Sequence, residues 1–308
     1  MNQELKVSIQ TGNWYNRVFN GDQNPDEAVA FIRSCGFDTL DYNIDNTLTP
    51  AEIRSCNLNH FYDDDFETLK EYFRPIKEAM EHHGISFGQT HASFPLYVEE
   101  DDTVNAYVLQ AVAKQIMICE YLGCPALVVH PYSCDDKERE KEINLNIYRY
   151  LMPYGKKHGV KICLENMFRV LHGHMVGGAC AEASEACWYI DKLNEEAGEE
   201  VFGYCFDVGH ANLCSRNIRE ELRTLGHRLT ILHIHDNDAQ NDSHMVPYTQ
   251  NDRTDWEGFI LGLRDINYRG TLDFEVFAAL DHLPWELVAP MIKYVYEIGL
   301  YMRKRILE

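Results

Sequence analysis

Short apolar segments alternate along the whole chain with longer segments in which apolar residues return at every third or fourth position. The short segments are rich in β-branched and aromatic residues, which is typical of strands, whereas the longer spacing is typical of amphipathic helices. The predicted strands lie at residues 7–12, 38–43, 85–91, 126–131, 160–165, 202–207, 229–235 and 271–276. The predicted helices lie at residues 25–35, 65–83, 104–122, 139–158, 181–194, 216–225, 256–266 and 285–306.

Eight strand-and-helix units repeat over 308 residues, which is about 38 residues for each unit. This repeat predicts an α/β fold, a single (β/α)₈ TIM barrel over residues 1–308, rather than a doubly wound sheet. No linker rich in proline, glycine or serine divides the chain. The two longest irregular stretches, 44–64 and 236–254, are expected to be loops on the C-terminal face of the barrel.

The chain is strongly acidic, with 28 Lys and Arg against 49 Asp and Glu and a formal net charge of −21. Proteins bind nucleic acid and anionic membranes mainly through clustered basic residues, so the charge argues against both partners. The sequence shows neither a signal peptide nor an apolar run of the roughly 18 residues that a membrane span needs. Ten cysteines without a C-x-x-C pair predict reduced thiols and a cytoplasmic protein.

Side chains that can bind a metal or transfer a proton end six consecutive predicted strands, the third to the eighth. They are His91, His130, Glu165, Asp207, His233 with His235, and Glu275. In a TIM barrel the C-terminal ends of all strands surround one mouth, so these side chains are expected to meet there. Burial in a core or solvation explains any one of them, but it does not explain six strands that end alike.

Carboxylates and imidazoles in this mixture suit a divalent ion such as Mn²⁺, Mg²⁺, Co²⁺ or Zn²⁺ and leave coordination positions for substrate oxygens. No cysteine belongs to the group, which argues against a closed structural zinc site. His210, three residues after Asp207, and the pair Asp242 and His244 are expected near the same mouth. Helix capping and loop solvation are the alternative roles for these three residues.

Short motifs around these positions resemble those of one family. They are Thr90-His91, Val129-His130-Pro131, Leu164-Glu165-Asn166, Phe206-Asp207-Val208-Gly209-His210, His233-Ile234-His235-Asp236 and Phe274-Glu275-Val276. In this order they resemble the xylose isomerase-like TIM barrels, the sugar phosphate isomerase/epimerase superfamily. The resemblance implies one divalent metal ion held by Glu165, Asp207, His233 and Glu275. His235 is an alternative to His233, because alternation along a strand points both side chains into the barrel.

Ketose 3-epimerases are similar proteins in which two glutamates exchange a proton at the substrate carbon through a metal-stabilised enediolate. The similarity implies that Glu165 and Glu275 are the catalytic pair. Residues 236–242 lack the arginine that those epimerases carry after the strand-seven histidine, and only Arg169 and Arg253 fall near the presumed mouth. This departure argues against a simple free ketose and against a phosphorylated substrate. Contacts with the substrate are expected from His91, His130, His210, His235, His244 and Asp242.

Type IV AP endonucleases of the same superfamily are the alternative, because they bind three zinc ions with additional ligands. The residues that match those ligands are His91, His130, His210, Asp242 and His244. The segment after Glu165 lacks the small, glycine-containing sequence of the nucleases, and the net charge of −21 offers little to hold a DNA backbone. A barrel that only binds a metabolite is a third hypothesis, which the intact set of carboxylates and histidines disfavours.

Two aromatic residues, Trp14 just past the first strand and Phe94 just past the third, are candidates for the wall of a sugar site. Packing in the core is the alternative for both. The sequence thus predicts a cytoplasmic, metal-dependent sugar isomerase or epimerase of carbohydrate metabolism, acting on a sugar or polyol-like substrate. It predicts no nucleic-acid or membrane partner and is compatible with a homo-oligomer.

Overall fold

Strands and helices alternate along the computed structural model, which describes residues 5–250, 253–281 and 283–308. The strands are β1 (Val7–Gln10), β2 (Thr39–Tyr42), β3 (Ser86–His91), β4 (Ala126–Val129), β5 (Lys161–Glu165), β6 (Phe168–Leu171), β7 (His174–Gly177), β8 (Phe202–Asp207), β9 (Leu229–His233) and β10 (Leu272–Phe274). The helices are α1 (Gly12–Phe19), α2 (Pro25–Ser34), α3 (Pro50–Arg54), α4 (Phe66–His83), α5 (Asp102–Leu122), α6 (Lys137–His158), α7 (Ala183–Ala197), α8 (Val208–Leu213), α9 (Ile218–Leu225), α10 (Trp256–Asp265), α11 (Phe277–Asp281) and α12 (Trp285–Leu307).

Eight of these strands form one parallel sheet in the order β10-β1-β2-β3-β4-β5-β8-β9. The two edge strands of the sheet meet just beyond the end of β9. There the N–H of Ile234 donates to the carbonyl of Asp273 (2.8 Å), and the N–H of Glu275 donates to the carbonyl of Ile234 (3.1 Å). These bonds close the sheet on itself, so the prediction of a single (β/α)₈ TIM barrel is confirmed.

Side-chain caps and glycines set the ends of the long outer helices. The Asp65 carboxylate accepts a hydrogen bond from the backbone N–H of Thr68 at the start of α4, and Asp101 caps α5 in the same way. Such caps satisfy backbone donors that have no partner inside the helix. Both helices end at a glycine with a left-handed backbone, Gly84 (φ 65°) and Gly123 (φ 73°), a conformation that other residues adopt at a cost.

Local structure adds elements that the sequence pattern did not predict. The predicted strand 7–12 ends at residue 10 and passes directly into α1. After β5 the chain folds back as the hairpin of β6 and β7, whose two-residue turn consists of His172 (φ 50°) and Gly173 (φ 82°). Such hairpin turns need a left-handed backbone, which the glycine makes accessible. The stretch 44–64, expected to be irregular, contains α3 and two short 3₁₀ turns.

Two kinds of residue fill the inside of the barrel. On β4, β5, β8 and β9 they form a small apolar cluster of Ala126, Val128, Cys163, Cys205 and Ile231, hereafter the apolar half. On β10, β1, β2 and β3 they are polar and equally buried, namely Ser8, Thr39, Asp41, Gln89 and Asp273, hereafter the polar half. Their neighbours along each strand, such as Val7 and Ile9, belong to the large core between barrel and helices.

Trp14 lies on α1 inside this large core and is only 1% exposed. Its indole N–H donates to the carbonyl of Gln10 (2.8 Å), and its ring packs against Phe19 and Phe31. The structure therefore corrects the expectation that Trp14 forms a wall of the sugar site and assigns it to core packing. All ten cysteines are free thiols. Among the described residues, no helix is long and apolar enough to cross a membrane.

Candidate active site

A cavity of about 640 Å³ opens at the C-terminal ends of the barrel strands. Eight of the predicted site residues line it: His91, Phe94, His130, Glu165, His210, Asp242, His244 and Glu275. Asp207, His233 and His235 lie behind this lining and are fully buried. The barrel therefore gathers the predicted side chains at one mouth, with three of them below its surface.

Three carboxylates surround one nitrogen of His233. Nδ1 of His233 lies 3.2 Å from Oε1 of Glu165, 3.5 Å from Oε2 of Glu275 and 3.9 Å from Oδ2 of Asp207. In the described part of the chain, no Lys or Arg forms an ion pair with any of these carboxylates. Histidines are thus the neighbours that face these buried carboxylates, and this mixture of oxygen and imidazole ligands suits a divalent metal ion. The four residues therefore fit the metal set that the sequence implied.

His235 contacts only part of this group. Its Nε2 lies 3.1 Å from the carboxylate of Asp207, while its Nδ1 has no hydrogen-bond partner among the described residues. Gly209 makes room for the ring, because a Cβ at that position would lie 1.9 Å from it. His235 thus sits beside one of the four residues, whereas His233 faces the other three.

His91 and His130 flank the second oxygen of Glu165. Nε2 of His130 lies 2.9 Å from Oε2 of Glu165 and 3.0 Å from Nε2 of His91. The Nδ1–H of His91 donates to the carbonyl of Ala92 (3.2 Å), which turns Nε2 toward the cavity. Burial opposes ionisation of Glu165, but His233 and His130 outweigh it and hold the pKa of Glu165 well below its usual range. These two imidazoles and one carboxylate form a second group of convergent metal-ligand atoms.

Asp242 joins His210 and His244 into a third group. The Nε2 atoms of His210 and His244 lie 3.5 Å and 3.1 Å from Oδ2 of Asp242. The Nδ1–H of each histidine donates to a backbone carbonyl, that of Asn166 (2.9 Å) for His210 and that of Glu275 (3.1 Å) for His244. Because a carbonyl oxygen can only accept, these bonds fix a proton on Nδ1 and direct Nε2 toward Asp242.

The carboxylates also control the charge of these two histidines. Burial disfavours the charged form of His210, but Asp207 and Asp242 outweigh it and raise its pKa to about 10. Burial is likewise overcome at His244, where Glu275 and Asp242 raise the pKa to about 9. At neutral pH these values favour the positively charged forms of His210 and His244 in the metal-free site.

Aromatic rings form part of the cavity wall. Phe94, a predicted wall residue, lies with its ring centroid 4.2 Å from that of His130. Phe277 stacks on His244 with the same centroid distance of 4.2 Å. Phe168, on the hairpin strand β6, lies 4.9 Å from the ring of His210. Apolar walls around a few convergent polar groups are typical of sites for small molecules.

Several lining residues were missed by the sequence analysis. Gln10 ends β1, and its amide Nε2 donates to Oε1 of Glu275 (2.5 Å). The sequence pattern predicted that this strand ends at residue 12, so Gln10 was not recognised as a strand end at the mouth. Phe168 and Phe277 carry no comparable signal, because a hairpin and a short helix place them there.

The cations near the mouth also differ from the expectation. Arg169 forms an ion pair with Asp135 and does not line the cavity, and neither does Arg253. Among the described lining residues, Arg54 at the end of α3 is the one with a permanent positive charge. Its guanidinium lies 5.9 Å from the ring centroid of Phe94. No sequence motif indicates this position of Arg54, because the contact depends on how the segment after β2 folds.

Comparison with known proteins gives one family and one curated relative. The model of the family described as "xylose isomerase-like TIM barrel" matches residues 4–293. The uncharacterized protein y4fM of Sinorhizobium fredii is 24% identical over 285 residues, which cover 89% of this chain and 88% of that protein. This relative adds no statement of activity.

Solved structures of sugar epimerases share the fold. A D-tagatose 3-epimerase-like protein is 16% identical, with a TM-score of 0.69 and 99% and 100% of the two chains covered. The 3-keto-D-glucoside 4-epimerase YcjR of E. coli is 15% identical, with a TM-score of 0.69 and 95% and 99% covered. The D-psicose 3-epimerase of Clostridium cellulolyticum H10 is 14% identical, with a TM-score of 0.69 and 97% and 99% covered. At these identities the likeness shows the fold alone.

Proposed function

Because the chain belongs to the xylose isomerase-like TIM barrels, we propose that it is a divalent-metal-dependent sugar isomerase or epimerase. The observation that carries the proposal is the convergence of Glu165, Asp207 and Glu275 on Nδ1 of His233 at the base of the cavity. An ion bound there would supply the positive charge that stabilises an enediolate formed from a carbonyl and its neighbouring hydroxyl. The names of the structural neighbours, which are sugar epimerases, support the same class of substrate.

Glu165 and Glu275 are the proposed acid–base pair. Gln10 Nε2 occupies Oε1 of Glu275, which leaves Oε2 on the side of His233. His130 lies beside Oε2 of Glu165 and holds that side chain from the other direction. In the proposed reaction, one carboxylate takes the proton from the carbon next to the carbonyl, and the other returns a proton to the opposite face.

Deuterium exchange tests this proposal. The metal-loaded protein is incubated in D₂O with D-tagatose, D-psicose, a 3-keto-D-glucoside and a panel of aldoses, and the products are examined by NMR. We expect deuterium at the carbon next to the carbonyl of one substrate, and we expect Glu275→Gln to abolish that exchange. Glu286→Gln changes an exposed glutamate on α12 and serves as the matched control. Conversion of a sugar without deuterium would point to a hydride shift and would overturn the proton-exchange step.

A second candidate, a metal-dependent phosphodiesterase, is favoured by the two additional ligand groups. One consists of His91, His130 and Glu165, and the other of His210, Asp242 and His244. Together with the group around His233, they offer three neighbouring positions for metal ions, which suits in-line attack on a phosphodiester. The net charge of −21 weighs against a DNA substrate.

Metal stoichiometry and substrate choice separate the two candidates. Elemental analysis of the purified protein is expected to give about one divalent ion per chain for the isomerase, against three zinc ions for the phosphodiesterase. A duplex containing an abasic site is tested beside the sugar panel under the same conditions. Three zinc ions together with cleavage of the duplex, and no conversion of any sugar, would replace the isomerase by the phosphodiesterase.

A further inference from the structure

Asp41 is a buried carboxylate of the polar half that lies against the proposed metal set. It is 0% exposed, on β2, and its Oδ2 lies 3.5 Å from Nε2 of His233. Among the described residues, His233 is the one side chain that can carry a positive charge and that lies within ion-pair distance of Asp41. A buried carboxylate is stable only beside a donor or a cation, so the contact has consequences for both side chains.

Gln89 fixes Asp41 in this position. Its amide Nε2 donates to Oδ2 of Asp41 (3.1 Å) and also lies 3.2 Å from the carbonyl of Leu232, the residue before His233. The amide therefore ties the carboxylate of β2 to the backbone of β9 immediately before the histidine. Asp41 is thus held by an amide of the neighbouring strand β3, which also contacts β9 across the barrel.

The two nitrogens of His233 face different surroundings. Nδ1 faces the carboxylates of Glu165, Asp207 and Glu275, so a metal ion at that point requires its lone pair. A neutral imidazole carries one proton, which must then be on Nε2. Nε2 is buried, and the carboxylate of Asp41 is the acceptor that faces it. Without this acceptor, the tautomer with Nδ1–H donating to Glu165 would compete with metal binding.

The other histidines of the cavity show the opposite arrangement. His91, His210 and His244 each place Nδ1 on a backbone carbonyl, which fixes the proton on Nδ1 and turns Nε2 outward. Within the described ranges, no backbone carbonyl accepts a hydrogen bond from the ring of His233, and its Nδ1 faces carboxylates instead. A side chain has to supply the acceptor at this one position of the barrel, and Asp41 is placed to do so.

We propose that Asp41 is a positioning residue that accepts the Nε2–H of His233 and thereby presents Nδ1 to the metal ion. The proposal rests on the metal set of the proposed function. A carboxylate behind a metal-binding histidine fixes both the tautomer and the orientation of the ring, and loss of such a partner typically weakens metal binding by about 10- to 100-fold. Asp41 itself does not touch the substrate in this proposal.

Metal affinity of full-length variants tests it. The proteins are stripped of metal, and the dissociation constant for Mn²⁺ is measured by equilibrium dialysis. Asp41→Leu is expected to bind Mn²⁺ about 10- to 100-fold more weakly than the unchanged protein. Asp41→Asn keeps an oxygen that can accept the Nε2–H, so it should recover most of the affinity and covers the case in which the leucine variant does not fold. Asp273→Asn changes an equally buried carboxyl group of the polar half and should leave the affinity within about twofold.

Proton NMR provides a readout that a merely structural role would not move. In protein loaded with diamagnetic Zn²⁺, the Nε2–H of His233 should give a downfield, slowly exchanging resonance that His233→Gln removes. Asp41→Leu should shift this resonance upfield and speed its exchange, whereas Asp273→Asn should not. Unchanged affinity and an unchanged resonance in both Asp41 variants would overturn the proposal.

Failure of the proposed function would look different. If the unchanged protein binds no metal, or if Glu165→Gln and Asp207→Asn leave its affinity unaltered, the metal set itself is wrong. The resonance of His233 in metal-free protein then still shows whether Asp41 accepts its proton. An unshifted resonance in Asp41→Leu would reject the role of Asp41 in that case as well.

Discussion

The two halves of the barrel interior differ in chemistry although both are buried. The apolar half lies directly beneath three of the four proposed metal ligands: Cys163, Cys205 and Ile231 each stand two residues before Glu165, Asp207 and His233. The polar half lies beneath the fourth, because Asp273 stands two residues before Glu275. One side of the site thus rests on close-packed apolar groups, and the other on polar groups.

The difference suggests separate tasks for the two halves. The apolar half has no polar side-chain atoms to satisfy, except weakly polar thiols, and it excludes water beneath the ligands. The polar half supplies Asp41 toward His233, and the polar end of β1 above it supplies Gln10 toward Glu275. It also contains hydroxyl and carboxylate oxygens that have no hydrogen-bond partner in the described part of the chain, including both oxygens of Asp273. The polar half therefore supports the site with polar contacts but lowers the stability of the fold.

The largest expected effect is the difference in metal binding between substitutions of His233, which ends β9, and of His235, two residues beyond it. His233→Ala removes a proposed ligand above the apolar half and should weaken Mn²⁺ binding by more than about 100-fold, which exceeds the loss from a supporting residue. His235→Ala should keep the metal and weaken turnover, because His235 contacts Asp207 alone among the four ligands. Equilibrium dialysis and elemental analysis measure both variants. Retention of metal by His233→Ala and its loss from His235→Ala would reverse the assignment.

Breaking the apolar half should cost folding stability. Ile231 is 4% exposed within the apolar cluster, so Ile231→Ala leaves a cavity and should lower the free energy of unfolding by about 2–5 kcal/mol. Ile231→Val removes one methylene group and should cost only about 0.5–1.5 kcal/mol. Urea denaturation of metal-free protein measures both changes. Equal effects of the two substitutions would show that this half is not closely packed.

A substitution in the polar half should instead increase the free energy of unfolding. Burial, followed by repulsion from Asp41, raises the pKa of Asp273 well above its usual range. A carboxyl whose pKa is higher in the folded state opposes folding at every pH above its unfolded value of about 3.9. Asp273→Asn should therefore increase the free energy of unfolding at pH 7 by roughly 1 kcal/mol or more.

The pH dependence of that gain is its control. Near pH 3 the carboxyl is protonated in both the folded and the unfolded chain, so the advantage of Asp273→Asn should disappear there. A variant that is less stable than the unchanged protein at pH 7 would mean that Asp273 is satisfied by its surroundings. The polar half would then carry no cost at that position.

The smallest expected effect concerns pH and the metal-free site. The pKa of His210 is raised to about 10 and that of His244 to about 9 by the surrounding carboxylates, which overcome burial. Because both values exceed the unfolded value of about 6.5, the stabilisation is complete below pH 6.5 and is lost as pH rises through 9 to 10.

Thermal unfolding in the presence of a chelator measures this loss. The melting temperature of the metal-free protein should fall between pH 7 and pH 10, and His210→Gln should reduce the slope. A melting temperature that stays constant or rises over this range would contradict the assigned charge of the two histidines.

The sequence predicted the fold and the strand-end residues of the cavity because both follow from strand periodicity. Alternation placed Glu165 and Glu275 at strand ends, and a barrel brings strand ends together whatever the loops do. The same alternation could not separate His233 from His235, since both side chains point inward. Their different roles depend on their height in the barrel and on the space that Gly209 leaves for the second ring.

Residues that belong to no motif and whose position depends on local folding were not predicted. Arg54 reaches the cavity through the fold of the segment after β2, and Phe168 through the hairpin of β6 and β7. The prediction for Trp14 was wrong because the sequence pattern did not predict helix α1, which turns the indole ring into the core. The proposed role of Asp41 follows from its contact with His233, which only the three-dimensional structure shows because the two residues are far apart in the sequence.

Anomalous diffraction from crystals loaded with Mn²⁺ would locate the proposed metal ion. One strong peak is expected at the manganese edge, bounded by Glu165, Asp207, His233 and Glu275, with the Nδ1 atom of His233 facing it. Peaks of equal height at the groups of His91 with His130 and of His210 with His244 would instead describe a three-metal centre. The absence of any peak among the four residues would contradict the account.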